Sequence, residues 1–337
     1  MGLDGDTARL LARLAEMGGG ADRDMSAIDA PAARLVSATM WELFRGDAGP
    51  DCPVEPLAIP GPAAGIPARL YRPPGRAADA LLPLVVFLHG GGWAMGDLDA
   101  YEPLVMDLCV GSGAAFLAVD YRLAPEHPFP AGLKDSLAAI EWAAEQAPAL
   151  GIDAARIAVM GDSAGGNLAT VAARRLHEAG THRLVAQFLL YPVLDVASPH
   201  DAYPSRLAHG DGDYLLARTD LDATTAWYTA AGADPADPDI SPLRAPDLST
   251  LPPTVILVGG HDPLLDEARR YAERLAAAGV ACEFRCCESA IHAFLSFGDL
   301  AVARRGRTWL AGKVAHYLRG GPPRPKWRNA ASARRQR

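Results

Sequence analysis

Residues 156–169 read RIAVMGDSAGGNLA, and this stretch decides how the rest of the chain is interpreted. The apolar run Ile157–Met160 is typical of a buried strand, and the residues from Asn167 onward have helical spacing. Gly161-Asp-Ser-Ala-Gly165 must therefore turn sharply from strand to helix, with glycine where a side chain would block the turn. This G-x-S-x-G pattern predicts a nucleophile elbow that projects the hydroxyl of Ser163 above the sheet.

The predicted elbow also supplies charge stabilisation. The backbone N–H of Ala164 and the positive end of the following helix would face the oxyanion that forms when Ser163 attacks a carbonyl carbon. The same five-residue pattern occurs in ordinary glycine-rich turns, so the motif alone leaves a purely structural turn open. Other parts of the chain must decide between the two interpretations.

A second glycine-bearing bend follows another buried strand. Leu84–Leu88 is a continuous apolar run, and it leads directly into His89-Gly-Gly-Gly-Trp93. Three glycines allow backbone N–H groups to face a ligand, as the second half of an oxyanion hole requires. A flexible turn is the alternative for this motif by itself, but its pairing with Ser163 favours the functional interpretation. His89 is expected to brace the loop rather than to transfer protons.

Two later strand ends supply an acid and a base. Asp262 follows the apolar strand Thr254–Val258, and His292 lies in the loop 288–294 after the last strand. Parallel strands end at one edge of a sheet, so these two side chains and Ser163 can converge there. His292 would take the serine proton during attack, and Asp262 would orient the imidazole and stabilise its charged form.

The acid has alternatives. Asp262 immediately precedes Pro263 at a helix start, where a carboxylate that only caps the helix is the competing interpretation. Glu288 and Asp266 are less favoured candidates for the same role.

Composition restricts the partners and the cellular compartment. The net charge is −8 although the last residues are basic, and an acidic body argues against binding to nucleic acid or an anionic membrane. The five cysteines form no C-x-x-C pair, which predicts neither a disulfide framework nor a zinc site. The chain begins without a basic and apolar signal region, and no apolar run has bilayer length. We therefore expect a cytoplasmic protein that uses no metal and no cofactor.

The 337 residues suit one α/β domain with an added cap. Residues 1–50 contain two stretches with helical spacing, which either pack on the core or form part of a lid. We assign 51–194 and 244–320 to the core. The segment 195–243, rich in Pro, Asp and Gly, is too long for a simple connection and is assigned to the cap. Residues 321–337 are predicted to form a basic disordered tail.

Taken together, the motifs resemble those of the hormone-sensitive-lipase-like group of α/β-hydrolases, in its bacterial type IV esterase form. The match rests on HGGG at 89–92, DYRLAPEH at 120–127, GDSAGG at 161–166, DPL at 262–264 and HAF at 292–294. The resemblance implies a mostly parallel eight-stranded sheet flanked by helices. It also implies a helical cap built from the N-terminal helices and the segment 195–243.

For the site, the resemblance implies carboxylester hydrolysis through an acyl-enzyme by a triad of Ser163, Asp262 and His292. The implied oxyanion hole consists of the N–H groups of Gly90, Gly91 and Ala164. Four side chains near the triad in such a fold are candidates for the substrate pocket, although core packing explains each nearly as well: Trp93, Met95, Tyr191 and Phe294. Members of the family often associate through their last strand, which makes a homodimer one expectation.

The first hypothesis is a carboxylesterase that acts on small-molecule esters with short to medium acyl chains. A lipase that works at oil–water interfaces is disfavoured because the sequence contains no long apolar lid. Deacetylation of a sugar or antibiotic, or amide cleavage, stays open because the same triad serves all of these reactions. The alternative from another class is a non-catalytic small-molecule receptor, against which the presence of Ser163 and His292 argues.

Overall fold

The computed structural model describes residues 2–17, 27–47, 49–75 and 81–320. The predicted tail at 321–337 lies outside these ranges. So do the three glycines at 18–20, which the sequence places between the two N-terminal stretches of helical spacing. Eight strands of the described chain join in a single sheet. They are β1 (Val54–Pro60), β2 (Gly65–Tyr71), β3 (Leu82–Leu88), β4 (Ala115–Val119), β5 (Ile152–Asp162), β6 (Gln187–Leu190), β7 (Thr254–His261) and β8 (Cys282–Ile291).

The strand order is β1-β2-β4-β3-β5-β6-β7-β8. The pairs β1–β2 and β2–β4 are antiparallel, and the other neighbouring pairs are parallel. Every residue of β3 and β4 is buried, as the continuous apolar runs in the sequence indicate for strands covered on both faces. The predicted mostly parallel eight-stranded sheet is confirmed.

The helices of the described chain flank this sheet and cover its edge. They are α1 (Gly5–Glu16), α2 (Ala30–Phe44), α3 (Leu98–Ser112), α4 (Ala131–Glu145), α5 (Ala164–Ala179), α6 (Pro204–His209), α7 (Arg218–Tyr228), α8 (Leu265–Ala277) and α9 (Ala301–Leu318). Short 3₁₀ turns occupy His200–Ala202, Pro242–Arg244 and Phe294–Ser296. A helix with the length and apolar character needed to cross a bilayer is absent from the described ranges.

The ends of β7 and β8 differ from the expectation in a way that matters for the site. Residues 288–294 are predicted as a loop, but β8 continues to Ile291. A register shift after Gly259 pairs His261 with Ile291, so the two neighbouring strands end at the same level. Asp262 directly follows β7, and His292 directly follows β8. The sheet therefore brings the acid and the base together.

The insertion, residues 195–243, is fixed to the core through a buried ion pair. The guanidinium of Arg206 in α6 donates to the Glu267 carboxylate in α8 and to the Asp195 carbonyl oxygen. The side chains of Arg206 and Glu267 are 2% and 0% exposed. The Leu194 N–H donates to Glu267 Oε1 at 2.6 Å. The same carboxylate therefore holds both α6 and the residue that directly precedes the insertion.

We expect Arg206→Met to lower the free energy of unfolding by about 3 kcal/mol, because Glu267 would then be buried without a counter-ion. Arg269 pairs with Asp266 at the surface, where its side chain is 41% exposed, and Arg269→Met is the matched control. Its cost should stay below about 1 kcal/mol. Urea denaturation of both variants measures the difference, and equal losses would contradict the anchoring role.

Candidate active site

The elbow depends on two glycines that no other residue can replace without moving backbone. A Cβ atom on Gly161 would overlap the Gly165 carbonyl oxygen, and one on Gly165 would overlap the Leu88 carbonyl oxygen at the end of β3. Ser163 between them has φ 52° and ψ −118°, which is strained for a residue with a side chain. This strain holds the serine hydroxyl above the end of β5.

Three predicted side chains meet in one hydrogen-bonded chain. His292 Nε2 lies 3.0 Å from Ser163 Oγ, and His292 Nδ1 lies 3.0 Å from Asp262 Oδ2. All three residues are buried, with Ser163 the most exposed at 9%. The imidazole is thus placed to accept the serine proton on one nitrogen while the carboxylate fixes the other.

Asp262 combines the two interpretations that the sequence left open. Its Oδ1 accepts the Leu264 N–H at 2.8 Å and so stabilises the turn before α8, whose N-cap is Leu264. Its other oxygen contacts His292. The carboxylate that contacts His292 Nδ1 is thus Asp262 and neither of the alternative acids. Glu288 is exposed, and Asp266 accepts the Ser205 N–H.

The oxyanion loop, residues 89–95, corrects one expectation. The Gly90 N–H donates to Asp162 Oδ1 at 2.7 Å and is not available to a substrate. The N–H groups of Gly91 and Gly92 donate to no protein atom in the described ranges, and both glycines line the same pocket as Ser163. Three consecutive glycines look alike in the sequence, and only the position of Asp162 shows that Gly92 replaces Gly90 as a candidate donor.

Asp162 is a site residue that the sequence analysis missed. Its carboxylate is 1% exposed, and it accepts the Gly90 N–H and, through Oδ2, the Tyr101 hydroxyl at 3.1 Å. Burial raises the pKa of Asp162 to about 7. An acidic residue directly before the nucleophile is the signal that could have found it. The Asp162 carboxylate joins the elbow to the oxyanion loop.

His89 braces this loop from behind. Its ring stacks on Tyr121 with centroids 4.4 Å apart, and its Nδ1 lies 2.8 Å from the Gly90 carbonyl oxygen. Burial lowers the pKa of His89, so the ring is neutral at neutral pH. A neutral, enclosed imidazole behind the loop has a structural role.

A cavity of about 120 Å³ opens above Ser163. Trp93 and Met95 line it, as the sequence suggested. Tyr191 and Phe294 do not: Tyr191 packs edge-on against the His292 ring at 5.1 Å, and Phe294 packs against Tyr191. Helix α2 and the insertion supply most of the remaining wall, which the sequence analysis did not resolve into residues: Ala33, Val36, Ser37, Met40, Trp41, Leu215, Leu216, Asp220, Leu221 and Thr224.

The Asp162 carboxyl predicts a pH dependence of stability. Between its ordinary pKa of 3.8 and about 7, the folded chain holds a proton that the unfolded chain has lost. Its contribution to the free energy of unfolding therefore falls as pH rises through this window. Asp162→Asn removes the titration, so its stability relative to wild type should increase between about pH 4 and pH 7 and level off above that.

Urea denaturation at several pH values tests this expectation. Tyr101→Phe is the control, because it removes a hydrogen bond to Asp162 but keeps the titrating carboxyl. The control should retain the wild-type slope. Parallel curves for wild type and Asp162→Asn would show that this carboxyl does not titrate in the window.

Comparison with known proteins gives consistent matches along the chain. A family model described as an alpha/beta hydrolase fold matches residues 85–296. The carboxylic ester hydrolase LipN of Mycobacterium tuberculosis is 44% identical over 253 residues, which cover 73% of this chain and 65% of LipN, just under two thirds of its length. The esterase LipI of the same organism is 40% identical, with 78% of this chain and 81% of LipI covered.

Two further matches cover nearly the full length. The ethyl acetate hydrolase of Pseudomonas putida is 37% identical over 306 residues, which span 89% of this chain and 94% of that protein. Among solved structures, the hyperthermophilic esterase from Pyrobaculum calidifontis is 33% identical, with a TM-score of 0.86. That superposition covers 94% of this chain and 98% of the esterase.

Proposed function

Because the chain belongs to the α/β-hydrolase fold family, we propose that it is a serine carboxylesterase whose nucleophile, base and acid are Ser163, His292 and Asp262. The observation that carries the proposal is the continuous hydrogen-bonded chain from serine to imidazole to carboxylate, with both contacts at 3.0 Å. Ser163 and His292 line a pocket whose wall also includes the backbone of Gly91 and Gly92. Relatives named for ester hydrolysis support this reaction class.

Acylation begins when Ser163 Oγ attacks the ester carbonyl carbon and transfers its proton to His292 Nε2. Asp262 stabilises the imidazolium that forms. The carbonyl oxygen becomes an oxyanion that accepts from the N–H groups of Gly91, Gly92 and Ala164. Ala164 is the first residue of α5, where the N–H has no acceptor within the helix and the helix dipole adds positive potential.

The tetrahedral intermediate then collapses. The bond between the carbonyl carbon and the alcohol oxygen breaks, and His292 gives its proton to the departing alcohol. Water repeats the sequence on the acyl-enzyme: His292 takes a proton from the water as it attacks, and Ser163 regains its hydroxyl when the acid leaves. Each backbone donor of such an oxyanion hole is worth about 10²–10³ in rate.

The pocket wall indicates the class of substrate. Its described lining residues are mostly apolar, and no lysine or arginine is among them to neutralise a substrate carboxylate. Trp41, Tyr101 and Trp93 restrict its size. We therefore favour uncharged esters with short to medium acyl chains.

Cell location and assembly stay predictions from the sequence. The proposed location is the cytoplasm, on the basis of cysteine usage. The proposed assembly is a homodimer through β8, which lies at one end of the sheet and pairs with β7 on its inner side. Strand edges of this kind carry unpaired backbone groups that a second chain can satisfy.

Replacement of the nucleophile is the first test. Ser163→Ala should lower the hydrolysis rate of p-nitrophenyl butyrate by about 10³-fold or more, because the variant lacks the hydroxyl that forms the acyl-enzyme. Ser37→Ala, at the other serine of the pocket lining, is the matched control and should stay within about threefold of wild type. Equal rates for wild type and Ser163→Ala would remove this serine from the mechanism.

A chain-length series tests the substrate class. Rates on p-nitrophenyl esters should be highest for acetate to hexanoate and fall by about tenfold or more for palmitate, because a cavity of about 120 Å³ limits the apolar surface that a long chain can bury. Triglyceride emulsions and the matching p-nitroanilides provide the comparison. A preference for emulsified long chains would indicate a lipase, and faster anilide cleavage would indicate an amidase.

A further inference from the structure

Helix α7 of the insertion contacts the oxyanion loop through two stacked rings. The rings of Trp93 and Tyr228 are nearly parallel, with an interplanar angle of 4° and centroids 4.4 Å apart. Both side chains are almost completely buried. Phe129 meets the Tyr228 ring edge-on, and its N–H donates to the Tyr228 carbonyl oxygen at 2.8 Å. The Tyr228 ring is therefore fixed on one side by the core and supports Trp93 on the other.

Trp93 needs this support because its backbone is strained. Its φ is 58°, and it follows Gly91 and Gly92 with φ of 111° and 60°. The left-handed region is unfavourable for a residue as large as tryptophan. A strained backbone of this kind persists only where surrounding contacts hold it. The stacked Tyr228 ring is one such contact, and the Ala124 N–H, which donates to the Trp93 carbonyl oxygen at 2.8 Å, is another.

A second residue of α7 presses on the same loop. A Cβ atom on Gly92 would lie 2.5 Å from Thr224 Cγ2, so the helix surface fits directly against the glycine backbone. Thr224 and Tyr228 are four residues apart and share one face of the helix. That face contacts Gly92 and Trp93, which are consecutive residues of the loop.

We propose that Tyr228 is a positioning residue for the oxyanion hole. Its ring holds Trp93 in the left-handed conformation and thereby aims the N–H groups of Gly91 and Gly92 at the substrate carbonyl oxygen. This inference rests on the proposed esterase function. Tyr228 touches no reacting atom, and its effect passes through Trp93. The insertion thus has a part in catalysis in addition to covering the pocket.

The ring carries this role, and the hydroxyl does not. The Tyr228 hydroxyl oxygen is buried and has no hydrogen-bond partner in the described part of the chain. Its burial raises the pKa of Tyr228, so the group stays neutral. Tyr228→Phe therefore keeps the stack and removes only an unsatisfied polar group.

The test compares Tyr228→Met, which fills the space without a planar face, with Tyr228→Phe. We expect Tyr228→Met to lower kcat on p-nitrophenyl butyrate by about 10- to 100-fold with KM within about threefold, because the lost interaction acts only in the transition state. Tyr228→Phe should restore kcat to within about twofold of wild type. The Ki of a trifluoromethyl ketone, which forms a tetrahedral adduct on the serine, should rise in proportion to the fall in kcat/KM.

Several results would overturn the proposal. An unchanged kcat in Tyr228→Met, a change in KM alone, or an inhibitor affinity that does not follow kcat/KM would show that Tyr228 only shapes the pocket. Equal losses in the Met and Phe variants would assign the effect to the hydroxyl.

A further variant and a control complete the design. If Tyr228→Met does not fold, Trp93→Phe tests the contact from the other ring, with an expected 3- to 10-fold loss in kcat; an unchanged kcat would overturn the proposal. Wild type and Ser163→Ala are measured in the same assay. An inactive wild type would reject the esterase function itself, whereas an active wild type with an unaffected Tyr228→Met would reject this inference alone.

Discussion

The backbone contact between the elbow and the end of β3 is the constraint on which the site depends. Gly165 lies so close to the Leu88 carbonyl oxygen that only a glycine fits. Asp162 closes the same junction by accepting the Gly90 N–H. Because the nucleophile and the loop of donors are joined through backbone, the distance between them does not depend on flexible side chains. Such preorganisation is the main source of oxyanion stabilisation in enzymes.

A second constraint acts at the other end of the triad. The register of β7 against β8 makes His261 the partner of Ile291, so Asp262 and His292 leave the sheet side by side. Asp262 is then held by the Leu264 N–H, which leaves one carboxylate oxygen for the imidazole. The acid and the base are thus aligned by sheet hydrogen bonds that form whether or not a substrate is present.

The sequence predicts the parts of this arrangement that depend on local pattern. The apolar runs Leu84–Leu88 and Thr254–Val258 lie within β3 and β7, and the ends of the strands predict where the acid and the base lie. Helix α3 was missed because it contains Pro103 and buries residues on several faces, which leaves no clear periodicity. The donor role of Gly92 and the position of Tyr191 behind His292 depend on packing between residues that are far apart in the chain, which one sequence does not encode locally.

The origin of the pocket walls has an evolutionary consequence. The reacting groups lie at the ends of core strands, whereas α2 and the insertion, which are separated in the chain by residues 45–194, provide most of the surface that a substrate meets. Each segment has its own attachment to the core, Arg34 to Glu126 for α2 and Arg206 to Glu267 for the insertion. Selection can therefore diversify the recognised molecules by altering two peripheral stretches, while the bond-breaking apparatus is inherited unchanged.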